Sequence, residues 1–370
     1  MTAPFTDRFF NTAGPVRADW HYLIDPLTRW DMAEILRLIA QGKYFVLHAP
    51  RQTGKTSCLL ALMEYLNDQG VYRAVYANIE AAQAVRSNVQ QGITAICHSI
   101  ANAAALYLKD RQVAELNRQV LSENNIPGAL TELLTRWSSQ SDKPIILILD
   151  EVDALVGDTL ISLLRQLRGG YAQRPLAFPL SVILCGVRDV RDYRIHTSGQ
   201  EIVTGGSAFN IKAESLRLGN FVESEVTTLL HQHTEVTGQV FAPAAIAYVW
   251  SQTQGQPWLV NALAYQACFK LKEGRDRNTH ITLELMKTAR EELIQRRDTH
   301  LDQLTDKLKE PRVHRVIAQM LGSEAQVEQF PTDDAQYVED LGLIRRRPSW
   351  RIANPIYQEI IPRELTWTSQ

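Results

Sequence analysis

The stretch that decides the fold is Tyr44-Phe45-Val46-Leu47-His48-Ala49-Pro50-Arg51-Gln52-Thr53-Gly54-Lys55-Thr56-Ser57. Its first five residues form a nearly continuous apolar run, the pattern of a strand covered on both faces of a parallel sheet. The next eight, Ala49 to Thr56, match the phosphate-binding pattern G-x-x-x-x-G-K-[ST], with Ala49 in place of the first glycine. A methyl group is tolerated there if the backbone keeps a negative φ. The stretch therefore predicts a strand, a phosphate-binding loop and then a helix over residues 56–66.

Such a loop offers a polyphosphate a concave row of backbone N–H groups at a helix N-terminus, where the partial positive charge favours anions. Gly54 is where the chain must wrap closest to the phosphates, Lys55 adds a full charge, and Thr56 adds a hydroxyl for Mg²⁺. The residues expected to bind nucleotide are Ala49, Pro50, Arg51, Gln52, Thr53, Gly54, Lys55, Thr56 and Ser57. The alternative interpretation is a Gly-Lys-Thr helix start without a ligand.

A second apolar run, Ile145–Leu149, ends in the adjacent carboxylates of Asp150 and Glu151. The carboxyl edge of the strands is where a doubly wound sheet binds its ligand. Asp150 is expected to hold Mg²⁺ beside Thr56, and Glu151 to orient and deprotonate the water that attacks the γ-phosphate. The pair therefore favours hydrolysis over binding alone. Taken by itself, the run could also be a buried strand that exits into an acidic loop.

Three arginines are further catalytic candidates. Arg188 follows the apolar run Leu180–Leu184, whose carboxyl edge is expected beside the Asp150 strand, so Arg188 could reach a γ-phosphate and report its presence. The alternative is a surface arginine paired with Asp189 or Asp192. Arg165 and Arg168 lie on a predicted helix over residues 160–169, and either could be an arginine finger that completes a neighbour's site. Each could equally be an ordinary helix-surface residue.

Alternating strands and helices predict a parallel α/β sheet over roughly residues 40–210, with right-handed crossovers. Helical periodicity then dominates in residues 223–297, and two further helices with a hairpin around Pro348-Ser349 suggest a winged helix. The expected organisation has four parts: an extended arm (1–30), an α/β core (31–212), a helical domain (213–298) and a winged-helix domain (299–370).

Composition excludes several classes of protein. The 370 residues are 45% hydrophobic, enough for two or three domains. The formal charge of -2 argues against a basic surface over the whole protein, so any contact with nucleic acid must be confined to a local patch. Four scattered cysteines without C-x-x-C spacing indicate neither a zinc site nor a disulfide framework. No apolar stretch approaches the roughly 18 residues of a membrane helix, and no signal peptide is evident, so we expect a cytoplasmic protein.

Together these motifs resemble the AAA+ P-loop ATPases, in the branch that holds the archaeal-type ATPases, the origin-recognition-like proteins and the STAND signalling ATPases. A further match is Gly255-Gln256-Pro257, which looks like the G-x-P motif of that branch. The resemblance covers most of the chain, because core, helical lid and winged helix follow in the same order. It implies a P-loop NTPase fold that binds ATP or ADP with Mg²⁺, and the sequence contains no N-K-x-D motif for reading guanine.

The resemblance also implies residues near the nucleotide. Pro257 would start a lid helix beside it, and the extended segment that contains Tyr22 and Ile24 would lie near the adenine. Trp258 stands where origin-recognition-like members commonly have an arginine on the phosphates, which weakens the case for a replication initiator. By itself, Gly255-Gln256-Pro257 could be a helix-breaking turn with proline in the first turn of the helix.

The C-terminal region allows two kinds of partner. Arg345, Arg346, Arg347 and Arg351 would lie on the wing of a winged helix and could contact DNA phosphates. Against DNA, residues 290–370 contain 12 basic and 14 acidic side chains. In the STAND ATPases the same module is an internal clamp or a partner surface, and the apolar residues 352–361 favour packing against protein.

Three functions remain open. The first is a Mg²⁺-dependent ATPase whose turnover drives remodelling or assembly. The second is a nucleotide switch with slow hydrolysis that recruits a separate protein partner, and the third is a DNA-binding ATPase. A homo-oligomer is possible in each case, and no membrane partner is expected.

Overall fold

The structure is a computed structural model of the chain. It describes residues 8–86, 88–123, 126–189, 194–196, 202–296, 306–322, 332–346 and 349–368. The described residues form two compact units. The first unit comprises Trp30–Ala49 and Lys55–Leu218, and the second comprises the residues up to Arg29, Pro50–Gly54 and the residues from Gly219 onward.

Strands and helices are numbered along the chain. The strands are β1 (Phe9–Phe10), β2 (His21–Tyr22), β3 (Tyr44–His48), β4 (Arg73–Asn78), β5 (Ile145–Asp150), β6 (Ser181–Gly186), β7 (Arg194–His196), β8 (Ile202–Thr204), β9 (Lys212–Arg217), β10 (Ile344–Arg345) and β11 (Arg351–Ile352). The helices are α1 (Met32–Ala40), α2 (Lys55–Asp68), α3 (Val89–Tyr107), α4 (Gln112–Ser122), α5 (Ala129–Gln140), α6 (Gly157–Gly170), α7 (Gly205–Ala208), α8 (Glu223–Thr237), α9 (Pro243–Thr253), α10 (Pro257–Tyr265), α11 (Leu283–Arg296), α12 (Pro311–Gly322), α13 (Thr332–Asp340) and α14 (Pro355–Thr368).

A parallel sheet of five strands forms the centre of the first unit, in the spatial order β4-β5-β6-β3-β9. All six residues of β5 and all six of β6 are buried, as their apolar runs predict. The α/β fold class predicted from the sequence is confirmed. The strand register places Asn78 opposite Asp150, and His48 opposite Gly186, so the carboxyl ends of four strands meet at one edge.

Helices cover the two faces of this sheet. Alternate residues of β3–β6 join the apolar side chains of α3, α4, α5 and α6 in one buried cluster. The other face, which includes Tyr76, Ile148 and Asp150, is the face that α2 contacts. At the start of α1 the Asp31 carboxylate accepts the N–H of Glu34 and so caps the helix.

The second unit contains short strand pairs and helices. Strands β1 and β2 form a parallel pair, and helices α8–α11 pack around an apolar core that also takes in Phe10 and Tyr22. Helices α12, α13 and α14 lie around the antiparallel β10–β11 hairpin and contribute to the same core. The predicted helices and hairpin of this region are therefore present, although Arg347 and Pro348 lie outside the described residues.

Several elements differ from the prediction. Strand β9 extends the sheet beyond residue 210, and α4 and α5 fill the interval between α3 and β5. Within the region of predicted helical periodicity, α10 ends at Tyr265 and the chain continues as a π-helical turn over Gln266–Lys270. In the part of the chain that the structure describes, none of the helices has both the length and the apolar character that crossing a membrane demands.

Candidate functional site

The phosphate-binding loop has a backbone suited to an anion. Gln52 (φ 58°) and Gly54 (φ 90°) have left-handed conformations, whereas Arg51 and Thr53 do not. Alternation of this kind turns successive N–H groups towards one side and forms an anion-binding concavity. Thr53 is buried and its hydroxyl donates to Pro50 O at 2.8 Å, which holds the loop closed on itself.

Ala49 and Lys55 bracket this loop in the first unit. Ala49 is fully buried against Cys58 and Leu218, and its φ is not positive, so the methyl group at the first glycine position is accommodated. Lys55 opens α2 and is 9% exposed, and its Nζ donates to Ala49 O at 3.0 Å. The ammonium group is thus held at the loop.

The central contact of the site joins the two sequence motifs. Thr56, in the first turn of α2, donates its hydroxyl to Asp150 Oδ2 at 2.9 Å. Asp150 ends β5 and is completely buried, and its Oδ1 accepts the backbone N–H of Glu151 at 2.9 Å. A hydroxyl and a carboxylate oxygen are donor atoms that suit Mg²⁺, which proteins hold with few side chains plus substrate phosphates. The residues present therefore fit a magnesium–nucleotide complex.

Tyr76 belongs to this cluster and was missed in the sequence analysis. Its hydroxyl also donates to Asp150 Oδ2, at 2.9 Å, from the neighbouring strand β4. Burial and the adjacent carboxylate raise the pKa of Tyr76, which keeps it a hydrogen-bond donor. The signal in the sequence was a single hydroxyl-bearing residue in the apolar middle of β4, Ala74-Val75-Tyr76-Ala77.

Glu151 follows Asp150 with a left-handed backbone (φ 61°). This conformation is uncommon for a residue with a side chain, and it costs on the order of 1 kcal/mol. The turn directs the chain from β5 into the short helix Val152–Ala154. Glu151 is half-buried at the carboxyl edge of the sheet.

Arg188 lies two residues beyond β6, and β6 pairs with β5 as predicted. The loop is anchored on both sides: Val187 N–H donates to Asp153 Oδ1 at 3.2 Å, and Lys212 Nζ contacts both oxygens of Asp189 at 2.6 and 2.9 Å. Asp189 thus forms a buried ion pair with Lys212. Asp192, the other partner considered for Arg188, lies outside the described residues.

The two candidate arginine fingers lie on the surface of α6. Arg165 and Arg168 are both exposed, and the Nη1 of Arg168 donates to Ser207 O at 3.2 Å. Both side chains are therefore accessible to a second copy of the chain.

In the second unit the loop Pro50–Gly54 has contacts that the motif did not predict. Arg29 donates from Nη1 to Thr53 O at 2.9 Å and from Nη2 to Gly219 O at 2.6 Å, and its guanidinium lies over the ring of Phe221. Gln256, of the G-x-P match, caps α10 and donates from Nε2 to Gln52 O at 3.4 Å. Gln256 therefore connects the start of α10 to the loop.

The residues that the resemblance implies near the nucleotide, Pro257, Tyr22 and Ile24, also belong to the second unit. Pro257 is the first residue of α10. Tyr22 is buried in the apolar core with its hydroxyl 3.1 Å from His233 Nδ1, and Ile24 packs half-buried against the same core.

His48 ends β3 immediately before the loop. Burial lowers the pKa of its imidazole to about 4, and the nearby Arg217 acts in the same direction. The buried Nδ1 has no hydrogen-bond partner among the described residues. His48 is therefore neutral at pH 7.

A five-stranded parallel sheet with a phosphate-binding loop after β3 and a buried aspartate at the end of β5 defines a P-loop NTPase of the AAA+ type. The chain belongs to the AAA-like domain family, whose model matches residues 14–359. No curated protein matches the sequence.

Three solved structures are similar to the chain at low sequence identity. A Walker-type ATPase of Pyrococcus abyssi is 13% identical, with a TM-score of 0.60 over 95% of this chain and 99% of that one. The ORC2 protein of Aeropyrum pernix is 17% identical, with a TM-score of 0.48 over 91% and 92% of the two chains. A RuvB variant of Thermotoga maritima is 13% identical, with a TM-score of 0.46 over 89% and 92%.

Proposed function

We propose that this protein binds ATP or ADP with Mg²⁺ and hydrolyses ATP, and that the nucleotide state is coupled to a conformational change or to assembly. The observation that carries the proposal is the 2.9 Å hydrogen bond from the Thr56 hydroxyl to Asp150. It joins the end of the phosphate-binding loop to the buried carboxylate, which are the two parts that a magnesium–nucleotide complex needs.

Each residue has a distinct role in this proposal. The loop N–H groups and Lys55 bind the phosphates, and Thr56 and Asp150 hold Mg²⁺, directly and indirectly. When bound, Mg²⁺ neutralises charge on the β- and γ-phosphate oxygens. Glu151 accepts the proton of the attacking water, because it follows Asp150 at the same sheet edge. Arg188 contacts the γ-phosphate and reports its presence.

Assembly would add a residue from a second copy. Arg165 or Arg168 would complete a neighbour's site as an arginine finger, since both are exposed on α6. Such a finger accelerates phosphoryl transfer by several orders of magnitude. Turnover per protein molecule should then rise with protein concentration.

The test is ATP hydrolysis measured together with particle mass, for the wild type and for Glu151→Gln, with and without Mg²⁺ and duplex DNA. Glutamine keeps the size of Glu151 and the same backbone strain but cannot take up the proton. We expect Glu151→Gln to bind nucleotide and to lose turnover. Unchanged hydrolysis in this variant would remove Glu151 as the base, and failure of the wild type to bind ATP would overturn the proposal.

A nucleotide switch is the second candidate, favoured by contacts within the second unit. Gly342, between α13 and β10, lies against Pro50 of the phosphate-binding loop. Arg345 of β10 donates from Nη2 to Gln254 O at 2.9 Å, beside the G-x-P match. A C-terminal module in contact with the loop could respond to the nucleotide and recruit a protein partner. Slow turnover with a nucleotide-dependent change of particle mass would support this function.

DNA binding is less well supported by the described residues. Arg346 pairs with Glu339 at 2.9 Å and lies over the ring of Trp350, and Arg345 is bound to Gln254. Two of the arginines predicted for the wing therefore already have partners within the protein. Salt-dependent binding of duplex DNA would favour this function. The domain limits and the cytoplasmic location stay predictions.

A further inference from the structure

Tyr76 lies beside the Asp150–Thr56 pair and donates its hydroxyl to Asp150. It is 6% exposed, and in the register of β4 and β5 it lies opposite Ile148, two residues before Asp150 on the same face of the sheet. Side chains two residues apart on a strand share a face, so the long tyrosine side chain reaches the carboxylate diagonally. Its ring meets that of Tyr107 edge-on, with centroids 6.3 Å apart, which fixes the hydroxyl in place.

In a fully buried position, the carboxylate of Asp150 receives three N–H and O–H hydrogen bonds from the described residues, and the Cys185 thiol of β6 also contacts it. Two come from the hydroxyls of Thr56 and Tyr76 on Oδ2, and one comes from the Glu151 N–H on Oδ1. A buried carboxylate needs such donors, because its charge is otherwise costly. The donors are not equivalent. The Thr56 hydroxyl would offer its lone pairs to Mg²⁺ while its proton remains on Asp150, whereas the Tyr76 hydroxyl serves Asp150 from the neighbouring strand.

We propose that Tyr76 is the positioning residue for the magnesium site: its hydroxyl holds the Asp150 carboxylate in the orientation that the magnesium site would need. This inference rests on the proposed function and deepens it. Tyr76 touches neither nucleotide nor metal and acts through Asp150. The consequence is specific, because Tyr76 governs the contribution of Mg²⁺ to binding and leaves the metal-free contacts of the loop unaffected.

The test uses Tyr76→Phe, which removes the hydroxyl and keeps the ring. Two quantities are measured on the full chain: the affinity for ADP in EDTA, and the Mg²⁺ concentration at which half of the metal-dependent gain in ADP affinity is reached. We expect the half-saturating Mg²⁺ concentration to rise about three- to tenfold, in line with one lost hydrogen bond to a charged group. The affinity in EDTA should stay within about twofold of the wild type. Tyr76→Met, which fills similar space without a hydroxyl, should show the same shift.

Tyr44→Phe is the matched control. Tyr44 is a fully buried tyrosine on β3 of the same sheet, and its hydroxyl donates to Pro179 O at 3.0 Å. Both substitutions remove one buried hydroxyl, so a general loosening of the sheet would change both variants alike. We expect the Mg²⁺ dependence of Tyr44→Phe to equal that of the wild type.

The outcomes separate this inference from the proposed function. A wild-type Mg²⁺ dependence in Tyr76→Phe would overturn the inference and leave the function standing. An equal loss of affinity with and without Mg²⁺ would also overturn it, since Tyr76 would then have only a structural role. If the wild type bound no ADP under either condition, the inference and the proposed function would fall together.

Discussion

Gly342 approaches Pro50 so closely that a Cβ on Gly342 would lie 2.8 Å from both Cβ and Cγ of the proline. The glycine has a left-handed backbone (φ 78°) and lies in the turn between α13 and β10. Pro50 of the phosphate-binding loop therefore packs directly on the turn that precedes β10. If nucleotide binding changes the loop, either the turn at Gly342 moves with Pro50 or the contact between them is lost.

Gly342→Ala tests this contact, and Gly238→Ala is its control. Gly238 has a similar backbone (φ 76°), but nothing lies within 4 Å of an added Cβ. Both variants incur the left-handed strain of about 1–2 kcal/mol. Gly342→Ala should lose about 1–3 kcal/mol more through overpacking, and its ADP affinity should fall. Thermal unfolding and ADP titration measure these effects, and equal losses in the two variants would mean that the contact with Pro50 is unimportant.

Lys55→Ala should abolish nucleotide binding. The ammonium is held at the loop by Ala49 O, and the N–H groups that remain cannot replace its full charge next to a polyphosphate. The measurement is ADP and ATP titration, with the exposed Lys143→Ala as a variant of equal net charge. Tight ATP binding by Lys55→Ala would contradict the assignment of residues 49–57 as a phosphate-binding loop.

Arg29→Lys should weaken ADP binding about three- to tenfold, although the charge is kept. The planar guanidinium donates to Thr53 O and Gly219 O from two separate nitrogens in a fixed geometry, which the single ammonium centre of lysine does not reproduce. Arg17→Lys is the control, since Arg17 is an exposed arginine of the N-terminal segment that lies over the ring of Trp20. Equal ADP affinities in the two variants would show that the bridge does not shape the loop.

His48 predicts a loss of stability in mild acid. Its pKa is about 4 in the folded chain and about 6.5 when exposed, so the unfolded chain binds more protons between these values. The stabilisation is complete above pH 6.5 and decreases as the pH falls towards 4. His48→Gln cannot take up this proton and should lose less stability between pH 7 and pH 5 than the wild type. Denaturant unfolding at both pH values measures the difference, and the exposed His231→Gln should behave as the wild type.

The parts predicted well from the sequence were those with strong local signals. The apolar runs of β5 and β6 and the loop after β3 each carry their own pattern, and the pairing of Thr56 with Asp150 follows from two motifs at one sheet edge. Strand β9 has no such signal. It is an edge strand with the sequence Lys-Ala-Glu-Ser-Leu-Arg and is only partly buried. Its pairing with β3 is a tertiary effect.

The missed residues have different causes. Helix α5 has buried apolar residues at helical spacing, Leu130, Leu133, Leu134 and Trp137, so its signal was present and overlooked. Tyr76 could not be assigned without knowing that β4 lies next to β5. The role of Arg29 could not be predicted either, because its two acceptors lie 24 and 190 residues away along the chain.

The N-terminal segment is joined to the middle of the chain by contacts over long sequence distances. Asn11 N–H donates to Asn261 Oδ1, and Trp258 Nε1 donates to Thr12 O, across 250 and 246 residues. During synthesis, Asn11 and Thr12 leave the ribosome before Asn261 and Trp258 have been made. At about 5–20 residues per second the wait is roughly ten to fifty seconds. The N-terminal segment is therefore synthesised early but forms these native contacts late. Until then, its aromatic residues Phe9 and Phe10 must be kept from other contacts.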